Sequence, residues 1–263
     1  MGNEASKPKS GTNFQVIGAG MPHTGTAALA SALRILLEGP IYHGGTQIAK
    51  GNPRDILLWT RLLRRFPPRT QTDRRNSFDT LSDLLDGYAG TADQPAALFV
   101  PELLELYPDA IVICTVRNPE SWERSMRSVS RKSALWSVGL GLILLPLPGL
   151  RHFVAYANCL RRCFVYMYEE GESLTTHTYR RHIEWLKEVV PEHRLFFVNV
   201  REGWIPLCDA LGMDVPDVPF PAIDDEEAMR RVSKETIMRA LKIWTLVIAT
   251  ILCAMTAYRW FNR

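Results

Sequence analysis

At 263 residues with a net charge of +3 and 22% charged residues, the chain is long enough for one α/β domain of about 230 residues and too short for two of that size. Its Lys and Arg are interspersed with acids rather than gathered in a basic block, which sets nucleic acid aside as an expected partner. The five cysteines (Cys114, Cys159, Cys163, Cys208 and Cys253) form no C-x-x-C pair and no His stands at zinc-finger spacing, so the expectation is a reduced, cytosol-facing protein without a metal.

Residues 1–13 carry no apolar signal-peptide core and read as a flexible N-terminus. Met1-Gly2-Asn3-Glu4-Ala5-Ser6 fits the M-G-x-x-x-[ST] acylation pattern, with Lys7 and Lys9 beside it, which makes Gly2 a candidate for myristoylation as a second, weak tether. A first strand is expected over 13–17, then a glycine-bearing turn and a helix over 25–37 with Leu29, Ala32, Leu33 and Leu36 on one face. A short strand follows at 40–43, a helix around 54–65, and a polar, basic segment over 67–77 that reads as an exposed excursion. The next helix covers 93–106, starting near Pro95, and 110–116 (AIVICTV) is the continuous apolar run of a buried parallel strand.

The apolar stretch 134–150 contains two prolines and three glycines, so a membrane-dipping loop or the greasy wall of a pocket suits it better than a straight spanning helix. A helix over 179–190 and a strand over 194–200 complete the alternation. The expected fold is α/β, a doubly wound, mostly parallel sheet in a P-loop-type three-layer architecture over 14–232, with its ligand at the carboxyl ends of the strands.

Beyond that domain, 243–258 is free of formal charge, reaching about 24 Å as a helix against a bilayer core of ~30 Å. Lys242 and Arg259 can snorkel, and Trp244, Tyr258 and Trp260 suit the interfaces. A C-terminal membrane anchor is therefore expected over 237–261. Arg230, Arg231, Lys234, Arg239 and Lys242 precede the uncharged run 243–258 and only Arg259 and Arg263 follow it, so the positive-inside rule turns the domain toward the cytosol.

Chemistry concentrates in Val16-Ile17-Gly18-Ala19-Gly20-Met21-Pro22-His23-Thr24-Gly25-Thr26. A dinucleotide G-x-G-x-x-G would need glycine in place of His23, and a Walker A loop would need Lys and Ser/Thr where Thr26 and Ala27 stand. What remains is a loop of backbone N–H groups opening a helix, which suits a cluster of anionic oxygens.

Pro22-His23-Thr24-Gly25-Thr26 resembles the P-[KR]-[ST]-G-T loop of sulfotransferases, and Arg117-Asn118-Pro119 with Ser125 resembles their R-[DN]-P…S element after a buried strand. The resemblance, to a branch common in fungi and invertebrates, extends through Asp93-Gln94-Pro95, Tyr107-Pro108-Asp109-Ala110, His182, Gly203-Trp204-Ile205-Pro206 and Phe220-Pro221. It implies that Pro22, His23, Thr24, Gly25, Thr26 and Ala27 grip the 5′-phosphosulfate of 3′-phosphoadenylyl sulfate (PAPS), that Arg117 and Ser125 hold its 3′-phosphate, and that no metal is used. It also leaves Thr24 and Thr26 as hydroxyl donors.

His23 departs from the family, which carries Lys or Arg there, and an imidazole is only partly protonated near neutrality. His43, at the end of the second strand, is the first candidate for the base that takes the acceptor's proton, and Asp93 the second, with helix capping as its structural alternative. His182 is expected to play a structural part, and Arg230 or Arg231 to stand in for a missing R-K-G phosphate loop. The implied function is a membrane-tethered sulfotransferase acting on a small lipophilic hydroxyl acceptor. Two other readings stay open: a repurposed enzyme doing lyase or cyclase chemistry on a phosphorylated or diphosphate lipid, as in terpenoid biosynthesis, and a non-catalytic binding protein.

Overall fold

The chain's first strand, β1 (Val16–Gly18), is buried along its whole length, and a computed structural model describing residues 4–133, 137–170 and 174–262 places it at the centre of a sheet. From β1 the chain enters α1 (Thr26–Leu36), returns in β2 (Ile41–His43), and runs through α2 (Gly44–Lys50), α3 (Asp55–Arg64) and α4 (Gln71–Leu85) to β3 (Gly90–Ala92). A 3-10 turn (Ala96–Leu98) and α5 (Val100–Leu106) lead to β4 (Ile111–Thr115). Next come α6 (Pro119–Ser133), α7 (Ser137–Leu144), α8 (Phe153–Tyr168) and α9 (Thr176–Val189), then β5 (Leu195–Val198), α10 (Ile205–Leu211) and α11 (Asp225–Phe261).

Among the described residues the sheet has five strands in the order β2-β3-β1-β4-β5, and each pair is parallel. Alternate strand residues feed two cores. Val16, Ile41 and Ile113 pack with Leu29 and Leu33 of α1 and Leu207 of α10. Ile17, Tyr42, Val112 and Cys114 face Trp59, Leu81, Leu103, Tyr168 and Leu186 on the other side. The result is the expected three-layer α/β arrangement.

Several local expectations change. The segment 67–77 is not an excursion throughout: α4 starts at Gln71, capped by Thr70, whose hydroxyl oxygen accepts from the Asp73 N–H at 3.0 Å, and it is anchored by Leu81, Leu84 and Leu85. The helix expected over 93–106 starts only at Ala96, after Asp93 at φ 73, and divides into the 3-10 turn and α5 at Phe99, whose φ -107 and ψ 27 leave the helical region. Within 134–150 the described residues 137–150 hold the short α7 and the turn after it, and Trp244 Nε1 of α11 donates to the carbonyls of Leu142 (3.1 Å) and Ile143 (3.2 Å). Residues 134–136 and the acylation motif's Gly2 lie outside the described residues.

The 37 residues of α11 form one helix, about 55 Å long at 1.5 Å per residue. Its first half belongs to the domain: Ala240 is fully buried and Glu235 pairs with Lys50 Nζ at 2.6 Å. The helix also contains an 18-residue stretch of mean hydropathy 1.9 of which 6% is buried, long and apolar enough to cross a membrane. The boundary expected near 232–237 therefore falls inside a continuous helix.

β3 escaped the sequence pattern because Gly-Thr-Ala carries little hydrophobic signal, yet it is the strand between β2 and β1. A Cβ on Gly90 would lie 2.5 Å from the Val16 carbonyl oxygen. Gly90→Ala is therefore expected to push the two central strands apart and cost roughly 2 kcal/mol or more, read as a lowered Tm in detergent-solubilised protein.

Candidate active site at the 18–27 turn

The turn between β1 and α1 is shaped by what its glycines leave out. A Cβ on Gly20 would lie 1.9 Å from Thr115 Oγ1, and Gly25, at φ 97, has room for no side chain beside Val200. Three of the turn's carbonyl oxygens are tied back by distant side chains. His182 Nε2 reaches Ala19 O at 2.7 Å, Trp122 Nε1 donates to Pro22 O at 2.8 Å, and Arg117 Nη1 donates to His23 O at 2.7 Å. With the carbonyls held away, the N–H groups of Gly25, Thr26 and Ala27 form a cradle, and all three donate to the Asp225 carboxylate at 2.7, 3.1 and 3.1 Å. Thr24 is not the free hydroxyl expected of it: its Oγ1 donates to Met21 O at 2.6 Å and is hydrogen-bonded to Thr115.

His23 sits at φ 65 with only 3% of its surface exposed. Its Nδ1 is 2.9 Å from Ser125 Oγ, while its Nε2 is buried without a partner. Arg117 makes a second bond, Nη2 to Ser121 Oγ at 2.7 Å, and its backbone N–H donates to the Tyr179 hydroxyl at 3.0 Å. His23, Arg117 and Ser125 thus meet on one cavity of about 410 Å³ at the carboxyl ends of β1, β4 and β5.

Arg124 and Arg201 line the same cavity, as do Asp224, Asp225 and Glu226. Arg201 opens the Arg201-Glu202-Gly203 segment, in which the sequence pattern showed no R-K-G phosphate loop. Its position one step beyond the last strand was the available signal. Arg230 and Arg231, considered there as phosphate-loop substitutes, are not among the lining residues, and Arg231 pairs instead with Glu227 at 3.0 Å.

His43 caps α2, its Nδ1 accepting the Thr46 N–H at 3.3 Å. With Nδ1 accepting, the ring N–H is on Nε2, 3.3 Å from Thr26 Oγ1 and 3.8 Å from Asp93 Oδ2. Asp93 does not cap the helix after Pro95. Its Oδ2 accepts from the Gly45 N–H at 3.2 Å, and its Oδ1 is buried without a partner. Burial pushes the Asp93 pKa up, and the neighbouring His43 offsets part of that rise.

The family profile described as "Sulfotransferase domain" matches residues 15–229, which contain both the turn and the Arg117–Ser125 wall. The chain belongs to the sulfotransferase domain family. It is similar to Ava biosynthesis cluster protein M of Aspergillus versicolor, 28% identical over 228 residues and 85% of each chain. Among solved structures it aligns with sulfotransferase STF9 from Mycobacterium avium over 84% of this chain and 67% of that one, at 14% identity and a TM-score of 0.35.

One titratable residue of this sulfotransferase domain serves the turn from behind. His182 is fully buried, and because a carbonyl only accepts, its Nε2–H donates to Ala19 O while Nδ1 takes the Tyr168 hydroxyl at 2.8 Å. Burial lowers its pKa to about 4, so the ring is neutral at pH 7. The unfolded chain binds the proton more readily, and stability should be full above about pH 6.5 and fall as pH drops toward 4. His182→Gln should flatten that slope by on the order of 2–3 kcal/mol, measured by denaturant unfolding between pH 7 and 4.

Proposed function

We propose that this sulfotransferase domain transfers a sulfuryl group from PAPS to the hydroxyl of a lipophilic acceptor at a membrane surface. The observation that carries this reading is the convergence on one cavity of the three-N–H cradle with His23, Arg117, Arg124, Ser125 and Arg201. The cradle at the N-terminus of α1 suits one anionic group, and the arginines with Ser125 suit a second phosphate. The buried, unpartnered Nε2 of His23 supports the fit, because an anionic oxygen of PAPS held beside it would accept the missing hydrogen bond.

PAPS supplies the activated sulfuryl group, and the chain's own residues do the rest. The cradle N–H groups hold anionic oxygens in place, and Nε2–H of His23 donates where family loops carry a permanent cation. Asp93 is the better placed of the two base candidates: Oδ1 has no partner and burial raises its basicity, whereas Nε2 of His43 already carries the ring proton. His43 then orients Asp93 and Thr26 rather than taking the acceptor's proton itself.

The membrane and lipophilic parts of the reading rest on α11 and its surroundings. Thr245, Thr250 and Thr256 turn their hydroxyls onto carbonyls of their own helix, so no side-chain donor in this trio needs water. A second cavity of about 230 Å³, lined by Ile48, Lys50, Leu147, Pro148, Arg239 and Ile243, joins the start of the apolar run to α2, the helix that His43 caps. The basic residues ahead of the run support a cytosolic domain on a single C-terminal anchor. The Aspergillus relative's name supports a role in a biosynthesis cluster.

Arg117→Ala and Arg201→Ala should each weaken binding of 3′-phosphoadenosine 5′-phosphate about 10-fold or more, at ~1.5–3 kcal/mol per hydrogen bond to a charged group. Labelled-sulfate transfer to a panel of phenols and sterols should be seen with wild type, be preserved or raised by His23→Lys, rise with pH through the Asp93 pKa, and fall about 10²-fold or more in Asp93→Asn. Silence from wild type and His23→Lys with nucleotide binding intact would reject sulfuryl transfer in favour of the diphosphate-lipid reading, which the imidazole at 23 favours.

The anchor has its own test. A chain ending at Lys242 should stay folded and leave the membrane fraction, whereas one ending at Val232 loses the buried Ala240 and the Glu235–Lys50 pair and should unfold at lower temperature. Recovery of the full-length chain in the soluble fraction without detergent would refute the anchor.

A further inference from the structure

The cradle holds an anion of the chain's own. Asp225 is the first residue of α11, and its carboxylate takes the N–H groups of Gly25 and Thr26 on Oδ2 and of Ala27 on Oδ1, bridging a separation of about two hundred residues. Helix α1 has no side-chain cap of its own: its N-cap is Gly25. Asp224, by contrast, caps α11 by accepting the Glu227 N–H at 2.9 Å, so Asp225 is held forward by a helix start that is itself satisfied.

Three N–H donors already shared by one carboxylate cannot also bind the oxygens of a phosphate or sulfate. The negative groups Asp224, Asp225 and Glu226 also line the cavity together with Arg117, Arg124 and Arg201, supplying negative charge that an anionic ligand would otherwise bring. We propose that Asp225 is an internal pseudo-ligand that closes the cradle, so that nucleotide binding and the docking of the α11 start are mutually exclusive. This rests on the reading that the cradle takes an anionic group of the donor.

Because α11 continues without Pro or Gly to Phe261, the element that must yield on ligand binding is the same helix that carries the apolar run. The apparent nucleotide affinity is then the intrinsic affinity reduced by the fraction of molecules with the cradle open. Any force on the helix from the membrane side alters that fraction. The sulfotransferase site is in this way regulated by its own anchor.

The test uses the full-length chain in phosphatidylcholine nanodiscs containing phosphatidylserine, as wild type, Asp225→Ala and Glu226→Ala. Asp225→Ala should bind 3′-phosphoadenosine 5′-phosphate about 10-fold tighter or more, within the usual range of coupling between sites, and Glu226→Ala, which removes the same charge but no cradle bond, much less. In wild type, saturating nucleotide should raise amide hydrogen exchange across 225–232. Unchanged or weaker binding by Asp225→Ala, equal tightening by Glu226→Ala, or bound nucleotide with no change at 225–232 would overturn the proposal and leave Asp225 as a cap of α1.

If no variant binds the nucleotide, the PAPS reading fails separately, and inorganic phosphate becomes the probe. Protection of amides 25–27 by phosphate at a lower concentration in Asp225→Ala than in wild type then supports the closed cradle, and equal concentrations refute it.

Discussion

The turn after β1 works only if its carbonyl oxygens and its N–H groups face opposite ways, because an anion site built from backbone donors is spoiled by an acceptor pointing into it. Each of the three carbonyls is turned away by a side chain from a different place in the fold: His182 on α9, Trp122 on α6 and Arg117 just after β4. Those three elements converge only because β4 lies beside β1 in the sheet, with register Ile17 to Val112 and Gly18 to Ile113. The topology of the sheet and the polarity of the site are therefore one requirement. Even the neutrality of His182 follows from it, since the ring that donates to Ala19 is sealed in the core, where a charged form is disfavoured.

His23 shows what that constraint does to chemistry. A non-glycine residue at φ 65 is costly, on the order of 1–2 kcal/mol, and persists because both its ends are held, the carbonyl by Arg117 and Nδ1 by Ser125. The imidazole consequently bridges the cradle and the arginine wall. A longer cation at this position would carry a permanent charge but could not keep the Nδ1 bond to Ser125. The departure from the family's loop exchanges charge for rigidity, and the two candidate proton-handling residues connect to the turn at Thr26, through the 3.3 Å contact to His43.

What the sequence disclosed, and what it withheld, follow from range. AIVICTV was legible as a buried strand because burial on both faces leaves a run with no polar interruption, whereas Gly-Thr-Ala of β3 has no such run and is defined only by its partners Val16 and Ile17. The turn was visible as a local glycine spacing, and Arg117 and Ser125 only through the resemblance. Arg124 and Arg201 were not, because their common cavity is assembled from segments about eighty residues apart. Asp225 looked like an ordinary acidic helix start, and nothing near it in the chain signals the N–H groups that it meets. The hydrogen bond from the Thr46 N–H to Nδ1 of His43 is likewise something that spacing cannot show.

The two halves of α11 set the orientation of everything else. From Asp225 to Trp244 the helix rises about 28 Å, and at the level of Trp244 it meets α7, whose Val138, Leu142 and the following Leu145 are exposed. With the apolar run in the bilayer, as proposed, Trp244 and these side chains occupy the interface, where an amphipathic ring and a greasy short helix are both favoured. The cradle then stands well clear of the lipid, on the water side. The 230 Å³ cavity at Ile243 and Leu147 lies instead at the interface, one seven-residue helix, about 10 Å, from His43. A soluble nucleotide and a lipophilic acceptor would reach the site from opposite ends, and neither would have to cross the other's medium.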